Sequence, residues 1–206
     1  MIAAIDLEGV LAPEIWPYLG EEFGLADLHL TTRDTGDFEE LMRRRVAALD
    51  RAGVTLARVQ AVAHKVPPYL GSHEFLKRIR RHCQVMIISD TFHEFAEPMV
   101  ERLGGFNLFA NRFEVDATGR IVGWKLRIRG RKAMVIEGMR SAGFQVIGMG
   151  DSLNDLTLLQ TADHPVLYRP VQALRDHLPD APVVESLDQA LEAFQAIFRK
   201  NGGDLP

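Results

Sequence analysis

Three short polar runs in this chain carry residue types that suit phosphoryl-transfer chemistry. They are Asp6-Leu7-Glu8-Gly9-Val10, Ser89-Asp90-Thr91 and Gly150-Asp151-Ser152-Leu153-Asn154-Asp155. Brought together, their carboxylates would repel one another, at a cost in free energy unless a cation sits among them. A hard divalent ion with oxygen ligands, most simply Mg²⁺, suits the set, with Asp6, Glu8 and Asp151 as candidate ligands and Glu8 able to use its backbone carbonyl. A carboxylate nucleophile, for which Asp6 is the candidate, splits the reaction into two easier steps through an aspartyl phosphate. A metal ion and cationic side chains offset charge on the transferring group. A second carboxylate, Glu8, can protonate the leaving oxygen and later activate water. In an extended chain residues i and i+2 point to one side, which would let Asp6 and Glu8 face one ligand.

Each polar run directly follows a short apolar run: Ile2 to Ile5, Val85 to Ile88 and Val146 to Met149, with a further apolar run at Pro165 to Tyr168. All but the first follow a helical pattern, such as His73 to Arg81 or Lys132 to Ala142. This alternation predicts an α/β, Rossmann-like, mostly parallel sheet covered on both faces. In such sheets ligands bind outside the carboxyl ends of the strands, where the three polar runs fall. Residues 13–68 break the alternation and read as several helices, an inserted cap over the core made of 1–12 and 69–206. Its clearest helix runs from Asp37 to Asp50, with Phe38, Leu41, Met42 and Leu49 on one stripe. Pro67, Pro68 and Gly71 mark the return. A hairpin is expected around the turn Asp116 to Gly119. Arg45 lies on the apolar stripe, where a charge needs a partner or opens to a pocket; Arg43 and Arg44 lie off it.

In order and spacing these runs resemble the motifs of the haloacid dehalogenase superfamily. DLEGV resembles D-x-D-x-[TV], Ser89 after VMII the second motif, and GDSLND the fourth. DFEELMRRRVAAL and FANRFEVDATGRIVG resemble stretches of phosphoserine phosphatases, and the likeness spans roughly residues 1–170. Glu8 stands where the family usually has Asp, and Ser-Asp-Thr where it usually has Ser-Gly-Gly. Together with DLEGVLxPEIW, these departures resemble a bacterial subgroup, the bifunctional phosphoserine phosphatase/phosphoserine:homoserine phosphotransferases. The resemblance implies hydrolysis of phosphoserine and transfer of its phosphoryl group to homoserine. It also implies a third-motif lysine bridging phosphate and Asp6, with Lys132 the better match and Lys125 the competitor. By the same likeness Arg45 clamps the substrate carboxylate, a role that suits an inward guanidinium, and Glu14 accepts its ammonium. Ser89 and Asp90 would hold phosphoryl oxygens and Asn154 would meet substrate or phosphate. Asp155 can support Asp151, and Gly150 would provide a sharp strand-to-loop turn.

Bland readings stand beside these. Ser89 could cap the next helix and the 151–155 cluster could be an N-cap. Glu14 could be a first-turn glutamate, Arg45 a snorkelling stem, and the basic run Arg127, Arg129, Arg131, Lys132 a solvated face. Other functions also remain: a different capped phosphatase of the enolase-phosphatase type, or a non-enzymatic phospho-aspartate receiver. Several classes are disfavoured. The formal net charge of -4 argues against a nucleic-acid partner. The segment GMGDSL fails the dinucleotide fingerprint at its last position and no P-loop is present. One cysteine, Cys83, fits a reducing compartment. With no signal-type start and no membrane-length apolar run, the expectation is a cytoplasmic enzyme of small-molecule substrates; its oligomeric state is left open.

Overall fold

The computed structural model describes residues 1–201, apart from the side chains of residues 32 and 33. Seven strands, β1 (Ile2–Ile5), β2 (Gln84–Phe92), β3 (Asn107–Val115), β4 (Ile121–Lys125), β5 (Val146–Gly150), β6 (His164–Tyr168) and β7 (Val183–Val184), form one sheet. Their order is β4-β3-β2-β1-β5-β6-β7. All neighbours are parallel except β3 and β4. The fold is thus the α/β, mostly parallel sheet that the alternation predicts. β1 and β5 are buried at every position. Alternate residues serve opposite cores: Ala3 and Ile5 join one cluster, Ile2 and Ala4 the other. That is the period of two expected of a strand covered on both faces.

Between β1 and the next sheet-covering helix lie α1 (Ile15–Phe23), a 3-10 turn (Ala26–Leu28), α2 (Thr32–Thr35), α3 (Phe38–Arg51) and α4 (Leu56–Ala63). Then follow α5 (Ser72–Ile79), α6 (His93–Leu103), α7 (Lys132–Ser141), α8 (Leu156–Thr161), α9 (Gln172–His177) and α10 (Leu187–Lys200). The four helices α1–α4 fall inside the 13–68 stretch read as an insertion; residues 202–206, assigned with the core, lie outside the described residues. α3 starts at Asp37, whose side chain accepts from the Glu40 N–H, a normal N-cap. It buries Leu41, Met42, Arg45, Ala48 and Leu49.

Two features tie this helical segment down. The Leu11 carbonyl accepts from both the Tyr69 N–H and the Ser72 hydroxyl at 2.9 Å, joining the chain's exit to its return. The hairpin tip reaches across as well: the Leu56 N–H donates to the Gly119 carbonyl at 2.8 Å, and Arg120 pairs with Asp50 at 3.2 Å.

α1 rests on an aromatic cluster. Trp16 meets Phe92, Phe95 and Phe113 edge-on, with ring centroids 6.3, 5.0 and 6.3 Å away. Such pairs add about 0.5–1.5 kcal/mol each beyond area burial. Phe95 lies at the centre and is fully buried. Phe95→Ala should therefore cost roughly 3–5 kcal/mol of stability, seen as a lower denaturation midpoint; a loss under 1 kcal/mol would show the cluster to be loosely packed.

Candidate active site

The carboxyl ends of β1, β2 and β5 meet at one cleft of ≈ 130 Å³, lined by Asp6, Glu8, Glu14, Ser89, Asp90, Lys132, Asp151, Ser152 and Asn154. Of the residues singled out from the sequence for catalysis, substrate or metal, Arg45 and Asp155 alone are not among its lining. At its centre is the Lys132 ammonium, 1 % exposed at the N-terminus of α7. Its Nζ donates to Asp6 Oδ1 at 2.9 Å and to Asp155 Oδ1 at 2.7 Å, and lies 3.4 Å from Asp90 Oδ2. Lys125 is instead an exposed partner of Glu114. Of the two lysines, Lys132 is the one that reaches Asp6. Burial pulls the Lys132 pKa down, but Asp6, Asp155 and Asp90 hold it well above the ordinary lysine range.

Asp155, the expected support for Asp151, bonds to the lysine, to the backbone and to the Ser152 hydroxyl. It is fully buried. Its Oδ1 takes Lys132, while Oδ2 accepts from the N–H groups of Asp151 and Ser152 at 3.1 and 3.3 Å. The N-cap reading of this cluster also holds, since Ser152 and Asp155 form a capping box. Gly150 is needed for space rather than for a turn: a Cβ there would lie 2.5 Å from the Asp155 Cβ. The glycine with the special backbone is Gly9, at φ 86, where a Cβ would strike the Asp151 carboxylate.

Asp6, Asp151 and Asp155 each offer a carboxylate oxygen within 4.8 Å of the others. Burial, then the Asp155 charge, raises Asp6 well above the usual carboxylate range and Asp151 to about 7. Carboxylates so strained toward protonation fit a divalent cation, which would offset their repulsion. The Glu8 carboxyl is not part of this group. The chain leaves extended conformation after Ile5 and turns, so the i, i+2 argument does not hold, although both side chains line the cleft. Glu8 Oε1 accepts from the Ile15 N–H at 3.0 Å, at the first residue of α1. Burial lifts its pKa to about 7 against the pull of that N–H.

Ser89, Asp90 and Thr91 do not cap a helix, because α6 begins at His93 with Phe92 as its N-cap. They form a bulge. Ile88 pairs with Phe109 and Phe92 with Asn111, so four steps along β2 oppose two along β3. Asn111, unnoticed in the sequence, fills the gap. It is fully buried. Its Nδ2 donates to the Asp90 carbonyl at 2.7 Å, and its Oδ1 accepts from the N–H groups of Arg127, Ile128 and Arg129 at 2.8, 3.0 and 3.4 Å. One amide thereby ties the bulge to the loop that delivers Lys132. A signal was there: Asn111 is the one uncharged polar side chain in the apolar stretch from Leu108 to Phe113. The basic run is only partly a solvated face: Lys132 is buried, and the Arg129 guanidinium lies 3.8 Å from the Phe38 ring centroid.

Arg45 stands above the cleft, 8 % exposed. Its guanidinium lies 4.4 Å from the Trp16 ring centroid and Nη2 donates to the Leu30 carbonyl at 2.6 Å, while Nε is buried without a partner. Burial lowers its pKa to about 10, against the charges of Glu14 and Glu8. Arg43 and Arg44 are exposed and pair with Glu40. Glu14 is an exposed N-cap of α1 whose side chain makes no capping bond.

Two predictions follow from this geometry. Asn111→Ala should unfix the Lys132 loop and leave the Asp90 carbonyl unpaired, costing about 1–3 kcal/mol of stability and lowering kcat by more than that loss of folded protein explains; unchanged kcat would deny Asn111 its positioning role. The second concerns pH. Glu8 and Asp151 rise from ordinary values of 4.5 and 3.8 to about 7, so between those values the folded chain holds protons that the unfolded chain has released. Stability of the metal-free protein should therefore fall as pH rises from about 5 to about 8. Mg²⁺ should raise the melting temperature more at pH 8 than at pH 5.5, and an equal rise at both would count against a cation among these carboxylates.

A family model for haloacid dehalogenase-like hydrolases matches residues 8–160. A phosphoserine phosphatase of Pseudomonas syringae pv. tomato is 38% identical over 193 residues, 94% of this chain and 81% of that protein. The phosphoserine phosphatase ThrH of Pseudomonas aeruginosa is 37% identical over 193 residues, 94% of each chain. A substrate-bound phosphoserine phosphatase structure superimposes with a TM-score of 0.75 at 19% identity, over 93% of this chain and 96% of that one. The site at the strand ends, the matched model and these relatives agree: the chain belongs to the haloacid dehalogenase-like hydrolases.

Proposed function

We propose that this protein is a Mg²⁺-dependent phosphoserine phosphatase working through an aspartyl phosphate on Asp6, and that it also passes the phosphoryl group to homoserine. The observation that carries the reading is the arrangement at the end of β1. There the Asp6 carboxylate is fixed by a buried lysine, with a second, separately held carboxyl at Glu8 lining the same cleft. The names of the two relatives at 37–38% identity support the substrate; the acceptor rests on the motif resemblance.

In this reading Asp6 Oδ attacks phosphorus as the bond from phosphorus to the serine oxygen breaks. The Glu8 carboxyl gives its proton to that oxygen. Glu8 then takes a proton from water, or from the homoserine hydroxyl, whose oxygen attacks phosphorus and releases Asp6. Asp6, Asp151 and the Glu8 backbone carbonyl would hold Mg²⁺, which would supply charge stabilisation for the phosphoryl group. Lys132, the Ser89 hydroxyl and the bulged backbone at Asp90 steady the phosphoryl oxygens, with Asn154 at the cleft edge. Arg45, with its Nε unspent, receives the substrate carboxylate, and Glu14 its ammonium. Helices α1–α4 shield the reaction from bulk water.

The test is phosphate release from L-phosphoserine with Mg²⁺, with and without homoserine, following phosphohomoserine by mass spectrometry. Both products are expected. Release without phosphohomoserine would remove the transferase half, and turnover only of phosphate esters lacking an amino-acid head would replace the substrate. Asp6→Asn should lower kcat at least about 10³-fold with the fold intact. Arg45→Ala should raise KM for phosphoserine by about tenfold or more and leave an aryl phosphate little changed; equal losses on both would contradict the clamp.

A further inference from the structure

Among the described residues, four buried side-chain polar atoms have no hydrogen-bond partner: Arg45 Nε, Asp90 Oδ1, Thr91 Oγ1 and His93 Nδ1. An unmade bond on a buried polar atom is costly, so each calls for an explanation. Two of the four belong to charged groups of opposite sign: the Arg45 guanidinium above the cleft and the Asp90 carboxylate in its lining. Arg45 Nε suits a substrate carboxylate. Asp90 Oδ1 has no such assignment. The other oxygen of that carboxylate, Oδ2, lies 3.4 Å from Lys132 Nζ, against 2.9 and 2.7 Å for the lysine's bonds to Asp6 and Asp155. The Asp90 carboxylate thus has a long ion pair at one oxygen and no donor at the other, while Asn111 pins its backbone carbonyl.

Whatever meets Oδ1 must be a donor. An ionised carboxylate only accepts, so phosphoryl oxygens do not answer the need. A shared metal ion does not either: the carboxylates close enough together to hold one are Asp6, Asp151 and Asp155, without Asp90. The lining has five carboxylates, Asp6, Glu8, Glu14, Asp90 and Asp151, and one cationic side chain, Lys132, a balance that favours a cationic donor. We propose that Asp90 Oδ1 receives the ammonium of an amine-bearing phosphate ester, which makes Asp90 a specificity-determining residue. The inference rests on the amino-acid substrate reading and deepens it. Glu14 and Asp90 share one ammonium, which has three N–H groups to give. Glu14 is exposed, and an exposed carboxylate pairs weakly with a cation. Asp90 is enclosed, its side chain 15% exposed, and in such a place the attraction is stronger. With Arg45 for the carboxylate, the two unspent charged atoms match the two charges of an amino-acid head. Asp90 stands where the family usually has glycine, which has no side chain to make this bond.

The test compares phosphoserine with the same ester lacking its amine, the O-phosphate of hydroxypropanoate, in the Mg²⁺-loaded enzyme. Asp90→Ala should lower kcat/KM for phosphoserine by about tenfold or more, the value of one hydrogen bond between charged groups, and by less than about threefold for the amine-free ester. The loss should fall mainly on KM. Asp90→Asn, which keeps the shape and an acceptor oxygen but not the charge, should lie between wild type and Asp90→Ala on phosphoserine. Both variants take a negative partner from Lys132, so damage acting through the lysine would strike the two esters alike. Equal losses on both esters, a loss confined to kcat, or Asp90→Asn falling below Asp90→Ala on phosphoserine would overturn the inference. If the wild type does not turn over phosphoserine, the substrate reading fails separately. The comparison then runs between phosphoethanolamine and ethyl phosphate, and the same outcomes decide.

Discussion

A buried ammonium must be paired, and the arrangement of this site follows from that requirement. Lys132 sits where water cannot solvate it, so its charge is met by Asp6, Asp155 and Asp90 from three different strand ends. Removing any one partner leaves an incompletely compensated charge in a low-dielectric place, which is far costlier than losing a surface ion pair. The lysine thus holds together loops that the sheet alone only brings near. It also leaves a surplus: the carboxylates around the cleft outnumber the one ammonium. That imbalance adds to burial, the larger cause, in raising Asp6 and Asp151 and makes the site receptive to a cation.

Rigidity at this centre is matched by unfinished bonds around it. Asp155 and Asn111 have both ends of their side chains engaged. Arg45, Asp90 and Thr91 each keep an atom unspent. The two sets meet at one bond, from the Asn111 amide to the Asp90 carbonyl. The same division runs through the sheet, whose fully buried strands β1 and β5 carry Asp6 and Asp151 at their ends.

Strand positions could be read from the sequence because strands buried on both faces are continuous apolar runs, and the polar residues closing them fall at the active end by topology. Arg45 was legible for a related reason: a cation on an apolar stripe is expensive and marks itself. What could not be read depended on distant partners. Lys132 and Lys125 differ little in local sequence; their burial differs because Asn111 gathers the 127–129 loop from 16 to 18 residues away. The bulge at Ser89–Thr91 arises from pairing with β3 and has no local period. Asp155 looked like a helix cap, which it is, and its bond to Lys132 spans 23 residues. Gly150 shows the same limit, as its reason is the Cβ of Asp155 and not its own backbone.

The tip of the β3–β4 hairpin binds the helical segment through Gly119 and Arg120. These contacts join parts of the chain some 60 to 70 residues apart, across the boundary that the sequence draws between insertion and core. The helical segment is therefore not an interchangeable module. A chimera that imported residues 13–68 from a relative would meet an unfamiliar hairpin at Thr55 and Asp50. Change in the helical segment is thus coupled to the hairpin turn, two regions that would have to drift together.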